Sequence, residues 1–248
     1  MEYKLTDKEK SAREYVCLAL DISDKEEIEK AVDELWDLVG CFKIHTAFTN
    51  HGPEIVKSVI NKGGKVFLDL KFHDIPNTVA NYAEAVTKLG VSYFNMHVSG
   101  GTEMMKAASK RVSEVSMGLN LVPPKMIGMT VLTSISKDVL NNEIGIEGEI
   151  EDKVLSWAKL AKESALDGIV CSAADLDKIK DKLPDDFFYI TPGIRPVGVS
   201  HDDQVRVMTP SNAVKAGSSL LVIGRAIYKA EDRRKAAYEI LQDIASVL

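Results

Sequence analysis

Short apolar runs rich in β-branched residues alternate along this chain with longer segments of helical period, a rhythm that marks parallel strands joined by helical crossovers. Eight such runs occur, and eight strand–helix units fill 248 residues. These observations predict an α/β chain folded as a single-domain (β/α)8 TIM barrel over residues 1–248, since that architecture occupies about 250 residues. A doubly wound sheet also alternates, but it carries about six strands and, for dinucleotides, a glycine-rich first turn. Here the first run leads into "DISDKEE", which has no glycine.

The predicted strands are "YVCLALD" (15–21), "CFKIH" (41–45), "KVFLDLK" (65–71), "VSYFNMH" (91–97), "KMIGMTV" (125–131), "DGIVCS" (167–172), "FFYIT" (187–191) and "LLVIG" (220–224). Between them lie "DKEEIEKAVDELWDLV", "GPEIVKSVINK", "TVANYAEAVTKLG", "EMMKAASKRVSEV", "EDKVLSWAKLAKESAL", "AADLDKIKDKL" and "PSNAVKAG", with apolar residues recurring at three and four. "AEDRRKAAYEILQDIASVL" closes the chain. The longest irregular piece, residues 133–150, follows the fifth strand on the face where barrels build their sites, and reads equally as a mobile lid or an inert insertion. No repeat, low-complexity tract or proline-rich linker suggests a second domain.

Composition narrows the function. A formal charge of -6 and a pI near 5.5 oppose general affinity for nucleic acid or anionic membrane, so any phosphate site is local. The charged start "MEYKLTDKEKSARE" lacks the apolar centre of a signal peptide, and no later stretch has eighteen uninterrupted apolar residues. A soluble protein is expected. Cys17, Cys41 and Cys171 are odd in number and set in apolar runs, which suits reduced core thiols and a cytoplasmic address.

The stretch "FLDLKFHDIPNTV" (67–79) puts charges where a buried strand should have none. Side chains alternate along a strand, so Asp69 and Lys71 share a face while Leu68 and Leu70 take the other. Charges survive in a barrel strand only near its carboxyl end, where the interior opens into a pocket. Taken alone, Asp-x-Lys also suits a structural ion pair plugging the barrel end. The other strand ends favour a site: Asp21 ends the first strand, Lys43 lies in the second, and Asp74 follows the third, all converging on one rim. Unit charges ~4 Å apart interact by roughly 4 kcal/mol at an effective dielectric of about 20, so such an array must be held by pairing. A carboxylate placed near a substrate carboxylate stresses the ground state, and an ammonium beside it favours the carbanion left when carbon dioxide departs.

At these residues the chain resembles the orotidine 5'-monophosphate decarboxylase family, particularly its bacterial type. The string "DLKFHDIPNT" (69–78) holds the family's Asp-x-Lys-x-x-Asp and the following Ile-Pro-x-Thr. "LALD" (18–21), "FKIH" (42–45), "HVSGG" (97–101), "LTS" (132–134), "TPGIRP" (191–196) and "IGRAI" (223–227) appear in family order. The resemblance implies that this chain decarboxylates orotidine 5'-monophosphate to UMP without a cofactor or metal. It makes Lys71 the acid that protonates C6 of the pyrimidine, within a network of Lys43, Asp69, Lys71 and Asp74. It further implies a homodimer in which Asp74 and Thr78 reach the neighbouring subunit's site. Asp21 and Lys43 would hold the ribose hydroxyls, Thr133 the pyrimidine, and Arg195, Gln204, Gly224 and Arg225 the phosphate. The residues agree for the phosphate: barrels often bind it at the loops after strands seven and eight, and an arginine offers a fork for its oxygens. Gln204 lies in a polar loop after strand seven, and its closure over phosphate would link remote binding energy to chemistry.

Other residues read as structure. His73 falls within the signature but between the faces of the charged turn, and His97 ends a strand beside "SGG". His45, His51 and His201 lack metal-ligand spacing, and the serines of "TSIS" and "SGG" lack a Gly-x-Ser-x-Gly context. Trp36, Phe48, Tyr82 and Tyr93 suit core or interface positions, and Met104, Met105 and Met129 read as packing. Two rival readings stand beside the nucleotide enzyme. A metal-dependent sugar-phosphate decarboxylase or synthase of the same superfamily shares Asp-x-Lys-x-x-Asp but lacks the Ile-Pro-Asn-Thr continuation at 75–78. A barrel that binds a nucleotide without chemistry would have lost a charged strand end, and none is lost.

Overall fold

The computed structural model describes residues 3–196 and 208–248. Eight parallel strands close into a barrel in sequence order: β1 (Val16–Ala19), β2 (Cys41–Ile44), β3 (Val66–Phe72), β4 (Tyr93–His97), β5 (Lys125–Met129), β6 (Gly168–Val170), β7 (Phe188–Thr191) and β8 (Leu220–Ile223). Each lies within its predicted run except β3, which extends one residue beyond it to Phe72. Closure follows from β8 pairing with β1 in the register Cys17 to Val222.

The crossovers are α2 (Lys25–Leu35), α3 (Thr46–His51) with α4 (Pro53–Asn61), α5 (Pro76–Leu89), α6 (Thr102–Leu119), α7 (Ile150–Glu163), α8 (Ala173–Ile179) and α9 (Pro210–Ala216); α10 (Arg225–Tyr228) and α11 (Arg233–Ala245) follow β8. Local chemistry sets several boundaries. Proline occupies the first helical position of α4, α5 and α9, where its missing N–H costs nothing. Asp24 and Asp232 cap α2 and α11 through their side chains. A further helix, α1 (Asp7–Arg13), lies within the charged start and was not expected; Thr6 and Glu9 form a reciprocal capping box there.

Two apolar layers position the site. Outside the strands, Leu18, Ile44, Leu68, Phe94 and Ile169 pack against the helices. Inside, Cys17, Cys41, Phe67, Ile127, Ile190 and Leu220 form a separate cluster that plugs the lower barrel. The period of two then carries the next inward residues, among them Ala19, Lys43, Asp69, Met129 and Val222, up to the open mouth. Gly168 is required where β6 crosses β7, because a Cβ there would stand 2.0 Å from the Phe188 carbonyl oxygen. All three cysteines are free and buried, and burial pushes the Cys17 and Cys171 thiols up. Met104, Met105 and Met129 are buried as read, whereas Trp36 and Tyr82 are exposed.

Residues 133–150 contain a π-helical turn, Val139–Glu143, that is docked on the barrel. Leu140 is buried, and Ile135 and Ile146 pack against the core. Asn141 closes the loop, donating to the Gly148 carbonyl at 3.0 Å and accepting from its N–H at 3.3 Å. Of this segment only its first residue, Thr133, borders the mouth.

Candidate active site

The mouth is a cavity of about 310 Å3, within the size range of small-molecule sites. Asp21, Lys43, Asp69, Lys71, Thr133, Arg195, Gly224 and Arg225, each expected from the sequence, line it together. Apolar residues such as Phe67, Met129, Val170 and Ile190 form its floor and walls.

Asp69 is the hub. Its Oδ2 lies 3.2 Å from the Lys43 ammonium, and its Oδ1 accepts from Lys71 Nζ at 2.7 Å and from Asn95 Nδ2 at 2.7 Å. Lys43 also reaches Asp21, at 3.4 Å. Asp69 is 6% exposed and Lys43 8% exposed, so their attraction is weakly screened by water. Burial pushes the Asp69 carboxyl up, but the Lys43 and Lys71 charges and the bonds from Lys71 and Asn95 more than reverse it, holding Asp69 below the usual aspartate value. Burial likewise pushes Lys43 down, and the carboxylates of Asp69 and Asp21 overcome it, leaving the ammonium above its ordinary value. Both groups are therefore charged near neutral pH.

The backbone beneath them is irregular. Between the pairs Leu68–Phe94 and Phe72–Met96, β3 has three residues where β4 has one, and Lys71 adopts the left-handed conformation with φ of 51°. The bulge is tied from both sides: His45 Nδ1, just past the end of β2, donates to the Asp69 carbonyl at 2.6 Å, and the Lys71 N–H donates to Asn95 Oδ1 on β4 at 2.8 Å. Alternation placed Asp69 and Lys71 on one face, and both do line the mouth, although the strand between them is not regular. Asn95, fully buried, is the participant that sequence reasoning passed over. A polar residue inside the apolar run "VSYFNMH" was the signal.

Asp74 departs from the expected convergence. Its carboxylate accepts from the Ile75 N–H at 2.7 Å, is exposed, and does not border the mouth of its own chain. Thr78, in the first turn of α5, is also outside the mouth. Arg195 is buried, its Nη1 donating to the Ile194 carbonyl at 3.0 Å, and follows Gly193, whose φ of 81° makes the turn after β7. Gly224 has ordinary φ, and a Cβ there would meet Ala19 and Tyr228 only at normal contact distance. Gln204 and His201 lie outside the described residues. His73 and His97 face each other with ring centroids 5.4 Å apart; burial, then His73 and Lys71, hold His97 below the usual imidazole value.

A profile of the "Orotidine 5'-phosphate decarboxylase / HUMPS family" matches residues 14–240. The chain is 45% identical over 237 residues to the orotidine 5'-phosphate decarboxylase of Moorella thermoacetica, covering 95% of this chain and 94% of that protein. It is 44% identical to the enzyme of that name from Lactobacillus acidophilus over 229 residues, 92% of this chain and 97% of the other. The crystal structure of orotidine 5'-phosphate decarboxylase from Lactobacillus acidophilus superposes with a TM-score of 0.81 at 38% identity, covering 92% of this chain and 98% of that one. Sequence, barrel and relatives agree, and the chain belongs to the orotidine 5'-phosphate decarboxylase / HUMPS family.

Proposed function

We propose that this chain decarboxylates orotidine 5'-monophosphate to UMP in pyrimidine biosynthesis, without a cofactor, in a cytoplasmic single-barrel domain of residues 1–248. The observation that carries the reading is Asp69 held between Lys43 and Lys71 inside a walled cavity. A substrate carboxylate at C6 is brought toward Asp69, where like charge disfavours it, while the Lys71 ammonium favours the charge that develops at carbon. The C6–carboxylate bond breaks, its electron pair stays on C6, and a proton from Lys71 Nζ forms the new C6–H bond. The amine left behind regains its proton from solvent.

The remaining residues take roles by position. Asp21 and Lys43, paired at the rim, receive the ribose hydroxyls, and Thr133 contacts the pyrimidine. Arg195, Gly224 and Arg225, at the loops after β7 and β8, receive the phosphate, joined by Gln204. The chain works as a homodimer in which Asp74 and Thr78 complete the neighbouring subunit's site. One feature supports this: Asp74 stands outside the mouth of its own chain.

Carbon dioxide release from orotidine 5'-monophosphate in excess chelator tests the activity. Full turnover is expected. Loss of turnover restored by a divalent cation would favour the metal-dependent sugar-phosphate branch, and UMP binding without release would favour a non-catalytic barrel.

A further inference from the structure

We infer that Asn95 is a positioning residue for the decarboxylation, fixing both the carboxylate of Asp69 and the left-handed backbone of Lys71 in their working geometry. The inference rests on the functional reading above. Asn95 stands on β4 opposite the bulge, between the two register pairs that bracket it. There the β3 ladder is interrupted, and a buried strand would be left with unsatisfied backbone groups. Asn95 Oδ1 takes the Lys71 N–H at 2.8 Å, and Nδ2 donates to Asp69 Oδ1 at 2.7 Å.

The orientation of the amide follows from its partners, because an ionised carboxylate only accepts and a backbone N–H only donates. One side chain thus reads both members of the acid–base pair at once. The left-handed conformation costs a non-glycine residue roughly 1–2 kcal/mol, and strain of this kind persists only where neighbours over-determine it. Asn95, fully buried on β4, and His45, just past the end of β2 and on the Asp69 carbonyl, supply that constraint from the two sides. Without Asn95 the Lys71 backbone is free to relax, moving Nζ away from Asp69 and from C6 of the substrate. Leucine matches the shape of asparagine but makes neither bond. Aspartate keeps the acceptor for Lys71, and its hydroxyl replaces the Nδ2 donor only when protonated.

The test compares wild type, Asn95→Leu and Asn95→Asp for kcat, KM and UMP affinity across pH 5.5–8.5. Losing a hydrogen bond to a charged group predicts that Asn95→Leu lowers kcat about 10- to 100-fold at all pH values, with UMP affinity within about threefold of wild type. Asn95→Asp should recover activity relative to wild type as pH falls, since a carboxyl beside Asp69 holds its proton at acid pH and becomes a repelling charge above it. A wild-type kcat in folded Asn95→Leu overturns the inference, as does an Asn95→Asp profile parallel to wild type. If leucine prevents folding, Asn95→Ala carries the same expectation. Were the wild-type chain itself to release no carbon dioxide, the functional reading would fall separately. A crystal structure of Asn95→Leu then decides the positioning role: a displaced Lys71 supports it, and Lys71 still left-handed and paired with Asp69 refutes it.

Discussion

A carboxylate wedged between two ammonium groups gives the network a defined pH window. Asp69 is held below its ordinary value of 3.8, so its contribution to stability is present above that value and is lost as pH falls through the lower folded-state value. Lys43 is held above its ordinary 10.5, so its contribution is complete below that value and is lost as pH rises through the higher folded-state value. Asp69→Asn should therefore lower stability by about 3 kcal/mol near neutral pH, the scale of breaking a buried pair. The gap to wild type should narrow below pH 3.8 and above 10.5, measured by denaturant unfolding. A gap unchanged at acid pH would show that Asp69 is not stabilised as a carboxylate. Asp69, Lys71 and Lys43 were legible in the sequence because alternation and strand ends fix where such charges survive. Alternation alone put Asp74 on the same rim, and only the family signature pointed it away from its own mouth, because no periodicity encodes the turn after a bulge.

Elements were legible wherever one face is buried, since the core then imposes a period of two or of three and four. The crossover helices are of this kind; the strands, buried on both faces, were legible instead as short apolar runs. The missed α1 has a different origin: a short helix with few apolar residues shows little period, and only its capping residues, "TDKE", carried the signal. Thr6→Ala should cost about 1 kcal/mol, visible as a lower thermal midpoint, and no change would mean that the box does not set this helix. The 133–150 segment was ambiguous because its apolar anchors, Ile135, Leu140 and Ile146, have no regular spacing. Its docking predicts that Asn141→Ala speeds amide exchange at Gly148 while leaving turnover within about twofold, as for a local opening away from the chemistry. A large loss of kcat would instead make the whole segment a lid.

For the whole molecule, an acidic chain brings Lys43, Lys71, Arg195 and Arg225 to one mouth of a barrel whose lower half is an apolar plug. The proposed homodimer, with Asp74 completing the neighbouring site, is tested by complementation. Mixing inactive Lys71→Ala chains with inactive Asp74→Ala chains should restore about a quarter of wild-type activity per chain, because half the dimers are mixed and each holds one intact site. No recovery in verified mixed dimers would return Asp74 to its own chain. The central claim is that Lys71 delivers the proton to C6, and its most direct measurement is the kcat of Lys71→Ala with UMP binding determined on the same preparation. The account predicts a fall of more than about 100-fold, the scale of a general acid, with UMP still bound. Activity within tenfold of wild type would contradict it.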